Sequence, residues 1–166
     1  MKACLFSQPL AAKFVMMHLQ WSQKKFADLS PYQLYAILQL RNEVFVVEQN
    51  CVFQDADDKD QESHHLMGFL DNKLVAYTRL VPPGLIYPEM SIGRVITSGT
   101  VRRLGAGREL MNQSIDHSYR LFGTGPIKIG AQLYLKGFYE SFGFRQISDV
   151  YLEDGIEHIY MRKETA

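Results

Sequence analysis

The sequence is poor in cysteine: Cys4 and Cys51 are the only two among 166 residues, too few for a disulfide framework. Neither belongs to a metal-type spacing, and this usage predicts a reducing cytoplasm. Net charge is absent too, because 18 Lys and Arg balance 18 Asp and Glu. That excludes bulk attraction to nucleic acid or to an anionic membrane, so a bound anion must meet a local cluster. No run approaches the ~18 consecutive apolar residues of a membrane span. Disorder is excluded by composition: 46% of residues are hydrophobic and 22% charged. The length suits one domain with a core of its own.

Residues 1–16 carry no helix or strand periodicity. Lys2, Gln8, Pro9 and Lys13 break their apolar patches, and Lys13 follows Ala11-Ala12 at once, unlike a secretory cleavage site. They are expected to form a non-catalytic extension, upstream of one domain over residues 17–166.

The first firm element opens at Ser30-Pro31-Tyr32-Gln33, a capping box with proline at the first helical position. Leu34, Ile37, Leu38, Arg41 and Phe45 follow at helical spacing, while Val44 to Val47 should weaken the helix near its end. Asp55, Asp57, Asp58, Asp60 and Glu62 then crowd a polar stretch, residues 50–63. As a calcium loop it fails: counting from Asp55, Asp60 stands where glycine is required and Leu66 where glutamate is. A solvated loop is expected, with no metal.

Strands are predicted at His65–Leu70 and Lys73–Val81 around an Asp71-Asn72 turn, and at Met90–Thr97. A helix runs from near Gly105 to Gly123, with Met111, Ile115, Ser118 and Phe122 on one face. Ile127–Ala131 reads as a strand, and Leu135, Phe138, Tyr139 and Phe142 as a helical stripe stopped by Gly143. A hairpin closes the chain, with Asp149–Glu153 and Ile156–Met161 joined at Asp154-Gly155. Short turns imply antiparallel pairing, and the strand–helix–strand unit over 90–131 allows one parallel pair. The fold class is mixed α/β: a mostly antiparallel sheet flanked by helices.

Two segments carry chemistry. The first is Val95-Ile96-Thr97 followed by Arg102-Arg103-Leu104-Gly105-Ala106-Gly107-Arg108, a strand running through a glycine-bearing loop into a helix. Free amides and the helix dipole converge there on an anion, and three arginines add charge suited to a pyrophosphate. It is not a Walker loop, since no Gly-Lys-Ser/Thr follows, and Leu110 breaks the G-x-G-x-x-G pattern. The second is Phe138 to Phe144, where Tyr139 lies on the apolar stripe with a hydroxyl that needs a partner if buried.

The pairing of R-x-x-G-x-G after one strand with Y-x-x-x-G-F after the next resembles the GNAT N-acetyltransferases. Residues 40–49, Ser63-His64-His65-Leu66, Ile92-Gly93-Arg94-Val95 and residues 151–158 resemble the ElaA-like branch of that family. The resemblance spans about residues 20–163. It implies a GNAT-like acyl-CoA acyltransferase fold and transfer of an acetyl group from acetyl-CoA to a primary amine. By the same resemblance, Val95 to Thr97 meet the pantetheine arm and the thioester carbonyl, and Arg102 to Gly107 cradle the pyrophosphate. Tyr139 matches the tyrosine that protonates the departing thiolate. Arg103 stands where the family usually has glycine, and Gln132 and Leu135 where asparagine and alanine are common.

Attack on a thioester requires a neutral amine, so a proton acceptor is needed. His64, His65, Glu43, Glu48, Glu89 and His158 are candidates by residue type, and Glu43, His65 and Arg94 are expected on the acceptor side. His64 and His65 are strand neighbours and face opposite ways, so only one can line a pocket. The implied acceptor is a small molecule or peptide amine, without nucleic acid or membrane, and a homodimer is compatible. The competing class is an acyl-CoA sensor or scaffold of the same fold that does not turn its ligand over.

Overall fold

The computed structural model describes residues 18–165. The expected extension, residues 1–16, lies outside the described residues. Strand β1 is Gln20–Lys25, followed by helix α1, Pro31–Arg41. The Ser30 hydroxyl accepts from the Gln33 amide at 3.2 Å while the Gln33 side chain accepts from the Ser30 amide at 3.1 Å, so the capping box is closed. After Arg41 the helix widens into a π-helical segment, Asn42–Glu48. The β-branched Val44, Val46 and Val47 crowd the tighter α-helical turn, which is where the sequence weakens it.

Strands β2 (His64–Leu70), β3 (Lys73–Val81) and β4 (Met90–Thr97) follow, then α2 (Ala106–Phe122), β5 (Ile127–Gln132) and α3 (Lys136–Glu140). Strands β6 (Arg145–Gln146), β7 (Tyr151–Glu153) and β8 (Ile156–Lys163) end the chain. They form an eight-stranded mixed sheet, ordered β1-β2-β3-β4-β5-β8-β6, with β7 also on β8. Strands β4 and β5 run parallel, and the other described pairs are antiparallel. The tight turns have left-handed backbone where expected, at Asp71 and Asn72 (φ 48° and 62°) and at Asp154 and Gly155 (φ 50° and 81°).

Alternation along the strands splits the core between two faces. Leu66 and Ala76 join Leu110, Met111 and Ile115 of α2, whereas Met67 and Tyr77 join Ile37 and Leu40 of α1. The buried Thr78 and Ser114 hydroxyls meet at 2.8 Å, tying β3 to α2.

Four expectations change. Strand β1 was not predicted, because Trp21 is its single large apolar residue; the indole packs over Gly68, where a Cβ would come within 2.7 Å of the ring. Strand β6 is likewise additional. The stripe from Leu135 to Phe142 is a 3-10 turn, Leu133–Leu135, and then the short α3, with Gly143 ending it at φ 87°. The largest change is residues 50–63: their acidic side chains are not simply solvated. Arg41 and Arg79 are fully buried and need counter-charges, so Asp55, Asp57 and Asp60 turn inward.

Candidate active site

The site begins as a defect in the sheet. Strands β4 and β5 meet only at Met90–Ile127 and Ser91–Lys128. Beyond those pairs β4 runs on to Thr97 and β5 to Gln132 with a widening gap between them. A cavity of about 720 Å³ occupies this wedge. Its walls include Val95, Ile96 and Thr97 of β4, Gln132 of β5, Gly107 of α2 and Tyr139 of α3.

One residue helps make the wedge. Between Gly93, opposite Arg79, and Ile96, opposite Tyr77, β4 carries one residue more than β3, a β-bulge. Arg94 sits in it at φ 53°. A side chain in left-handed backbone costs about 1–2 kcal/mol, so its surroundings must hold it there. They do. Nε donates to Asp55 at 2.7 Å, Nη2 donates to the Asp55 carbonyl at 3.0 Å, and the guanidinium lies 5.9 and 5.8 Å from the Phe45 and Phe53 ring centres.

The same aspartates satisfy the buried arginines. Arg41 Nε donates to Asp55 at 2.7 Å and Nη1 to Asp60 at 2.8 Å. Arg79 donates to both oxygens of Asp57, at 2.6 and 2.8 Å, and to Asp60 at 2.9 Å. Burial pushes the Asp57 carboxyl up, but hydrogen bonding and charge from Arg79, with Arg94, hold it well below the usual range. Asp60 is held down in the same way by Arg41 and Arg79. Three cations and three anions thus pin the loop beside the cavity. The sequence signal was available: a charge inside an apolar strand (Arg79) and another on a helix's apolar stripe (Arg41) each demand a partner.

The residues of the expected anion loop differ in where they point. Gly105 caps α2 at φ 91° without any side-chain cap, so the first amides of a 17-residue helix are left unpaired. A Cβ at Gly105 would meet nothing within 4 Å, and one at Gly107 only the edge of Phe138 at 4.0 Å; the cradle is open. Arg103 takes the left-handed backbone that glycine would, at φ 64°. Arg102 lines the cavity but folds back, donating to the Thr97 carbonyl at 3.1 and 2.9 Å and pairing with Glu48 at 2.6 Å. Leu104 is exposed, and Ala106 is buried in the core rather than in the cavity. Arg108 turns toward α3, donating to the Ser141 hydroxyl at 3.2 Å and lying 5.1 Å from the Phe142 ring centre.

Tyr139 is buried and lines the cavity. Burial raises its hydroxyl above the ordinary range, reinforced by Tyr134, so it stays protonated. Among the acceptor-side expectations Arg94 is at the cavity wall. Glu43 is not: it borders a separate pocket of about 120 Å³ with Lys73 and Ser98. His65 is not there either. Its Nδ1 meets the Tyr77 hydroxyl at 2.9 Å and its Nε2 the Asp60 carbonyl at 3.0 Å, inside the core. His158 and Glu48 do line the cavity, together with Tyr87, Phe45 and Phe53. No group of three or more His, Cys, Asp or Glu among the described residues is arranged to hold a metal.

Residues 28–165 match the family model described as "Acetyltransferase (GNAT) domain". The chain belongs to the GNAT family. It is 46% identical over 146 residues to a UPF0039 protein of Synechocystis, covering 87% of this chain and 95% of that one. It is 41% identical to Protein ElaA of Escherichia coli, covering 88% and 97%, and this GNAT chain overlays the ElaA crystal structure with a TM-score of 0.83 over 89% and 100%. An acyl-CoA N-acyltransferase from Pseudomonas aeruginosa overlays with a TM-score of 0.84 at 43% identity, covering 88% and 99%. The GNAT fold and an ElaA-like place within it follow. GNAT members use an acyl-CoA, and the open helix N-terminus beside the unpaired edge of β4 fits its diphosphate and amide-bearing arm.

Proposed function

We propose that this chain is an N-acetyltransferase that moves the acetyl group of acetyl-CoA to a primary amine, by direct attack of the amine on the thioester. One observation carries the reading: a parted strand edge, an uncapped helix N-terminus and a protonated tyrosine all border one cavity. The thioester, when bound, supplies an activated acyl carbonyl and a thiol leaving group. The chain supplies the rest. The α2 amides and the Arg102 to Gly107 loop hold the diphosphate, and Val95 and Ile96 orient the arm. The Thr97 carbonyl is already occupied by Arg102, which leaves those two residues the larger share of the backbone contacts.

Tyr139 protonates the sulfur as the C–S bond breaks, which positioned acid catalysis favours by ~10²–10⁴-fold. The acceptor is a small molecule or peptide amine. The neutral charge and scarce cysteine support a cytoplasmic protein without a nucleic-acid or membrane partner, and a homodimer is compatible with the reading. No helix among the described residues is long and apolar enough to cross a membrane. The test is a screen of polyamines, aminoglycosides, amino acids and peptide N-termini with acetyl-CoA, scoring free thiol. Release with at least one amine is expected. Acetyl-CoA binding with no release on any of them would leave a sensor or scaffold instead.

A further inference from the structure

We propose that His158 is the residue that takes the proton from the acceptor amine, an inference that rests on the acetyltransferase reading. His158 lies on β8 opposite Gln132, at the open end of β5, and lines the wedge cavity. Its Nδ1 is 2.8 Å from the Ile156 carbonyl. A carbonyl only accepts, so Nδ1 must carry the hydrogen, and the lone pair of the neutral ring is left on Nε2. Tyr151, its register partner on β7, lies with its ring centre 5.9 Å away, tilted 30° to the imidazole.

Most other titratable groups at the cavity are engaged elsewhere: the Cys51 thiol donates to the Asp154 carbonyl at 3.7 Å, and Tyr134 is turned out to an exposed position. Glu48 is paired with Arg102 at 2.6 Å, and Arg79 and Arg94 are neutralised by Asp57, Asp60 and Asp55. Tyr87 is pushed up to about 12 by burial and then by its neighbours Tyr160 and Glu153, so it holds its proton. Away from the cavity, His65 has both ring nitrogens engaged in the core, and Glu89 faces Arg162 at 3.8 Å. Glu153, at the end of β7, and Asp154, in the turn that follows, also border the cavity and are exposed. Their position suits attraction of an ammonium toward His158.

The protons balance. The ammonium gives one to Nε2, and the freed lone pair forms the C–N bond. The C–S bond breaks with its electrons on sulfur, Tyr139 protonates the sulfur, and the nitrogen's second proton restores the tyrosine. The third stays in the amide, and His158 returns its own to solvent. Nδ1 keeps donating to Ile156 throughout, so the imidazolium has a partner already in place.

The groups beside His158 at the cavity are its register partners Tyr151 on β7 and Gln132 on β5, with Glu153 and Asp154 at the end of its own hairpin. The test must therefore separate the ring from these carboxylates. His158→Gln is assayed by thiol release on spermidine, an aminoglycoside, lysine and a short peptide, beside wild type. A loss of ~10²–10³-fold in kcat is expected on whichever amine wild type uses, with acetyl-CoA affinity by calorimetry unchanged. The variant's rate should keep climbing with pH beyond the point where wild type levels off, and imidazole should restore His158→Ala. Nitrogen NMR of the resting wild-type protein should show the Nδ1–H tautomer. Wild-type turnover retained in His158→Gln with an unshifted pH profile, or an Nε2–H tautomer, would overturn the assignment alone. Wild type inactive on every amine would overturn the transferase reading, and this proposal with it.

Discussion

Asp60→Asn is the sharpest test of how the arginine–aspartate cluster beside the cavity is held together. Asp60 is buried and accepts from Arg41 at 2.8 Å and from Arg79 at 2.9 Å. The amide keeps the shape, but it can accept from one guanidinium only while turning N–H groups toward the other. The cluster of Arg41, Arg79 and Arg94 with Asp55, Asp57 and Asp60 would then hold one uncompensated positive charge in a buried place. Breaking a buried pair in this way costs about 3–5 kcal/mol. For a domain of this size, at roughly 2–4 °C per kcal/mol, the melting temperature should fall by about 6–20 °C. Asp58→Asn, two residues away and exposed, makes the same change of charge and should stay within ~0.5 kcal/mol. Thermal and urea unfolding at pH 7 measure both. Equal effects from the two variants would refute the reasoning, since they would mean that only the count of acidic residues matters. The sign with pH follows from the depressed Asp57 and Asp60 carboxyls. Their contribution is complete above the ordinary value of ~3.9 and is lost as pH falls through the lowered folded values, so acid should destabilise wild type progressively below about pH 4.

Tyr139→Phe should lower turnover by ~10²–10⁴-fold with acetyl-CoA affinity and melting temperature nearly unchanged; ordinary turnover in steady-state assays would leave the proton to water. Arg102→Ala should weaken CoA binding several-fold by calorimetry, less so at high salt, because the arginine supplies charge at the loop and braces Thr97 and Glu48. Unchanged affinity would remove Arg102 from the site. A chain beginning at Met17 should keep its melting temperature and CoA affinity, and a large loss of either would make the extension part of the domain.

What could be read from the sequence was whatever is written locally. Ser30 and Gln33 are three residues apart, and Asp71-Asn72 and Asp154-Gly155 are adjacent, so cap and turns were legible without knowledge of the fold. The glycine loop and Tyr139 were legible because their spacing is fixed by a strand and a helix start. Strand β1 was not, since its one apolar side chain gains meaning only when Gly68 admits the indole. The aspartates failed for the same reason at longer range: Arg41 and Arg79 lie 19 residues to either side of Asp60, and a run of acids reads as solvated until both are placed. The parity argument correctly set His64 and His65 on opposite faces, with His64 against Gln23 and Phe122, but no local rule says which face is the cavity.

The two rungs that join β4 to β5 bear on more than where a ligand fits. A sheet fastened at one end of its central seam behaves less like a plank than like a half-closed zip: β1 to β4 and β5 to β8 share two residue pairs there, and the chain crosses from one half to the other through α2, which packs on β3 and β4. A donor lying along the open edge would stand in for the missing strand, bracing the two halves while it remains. Each turnover would then lend the protein a piece of its own framework and take it back.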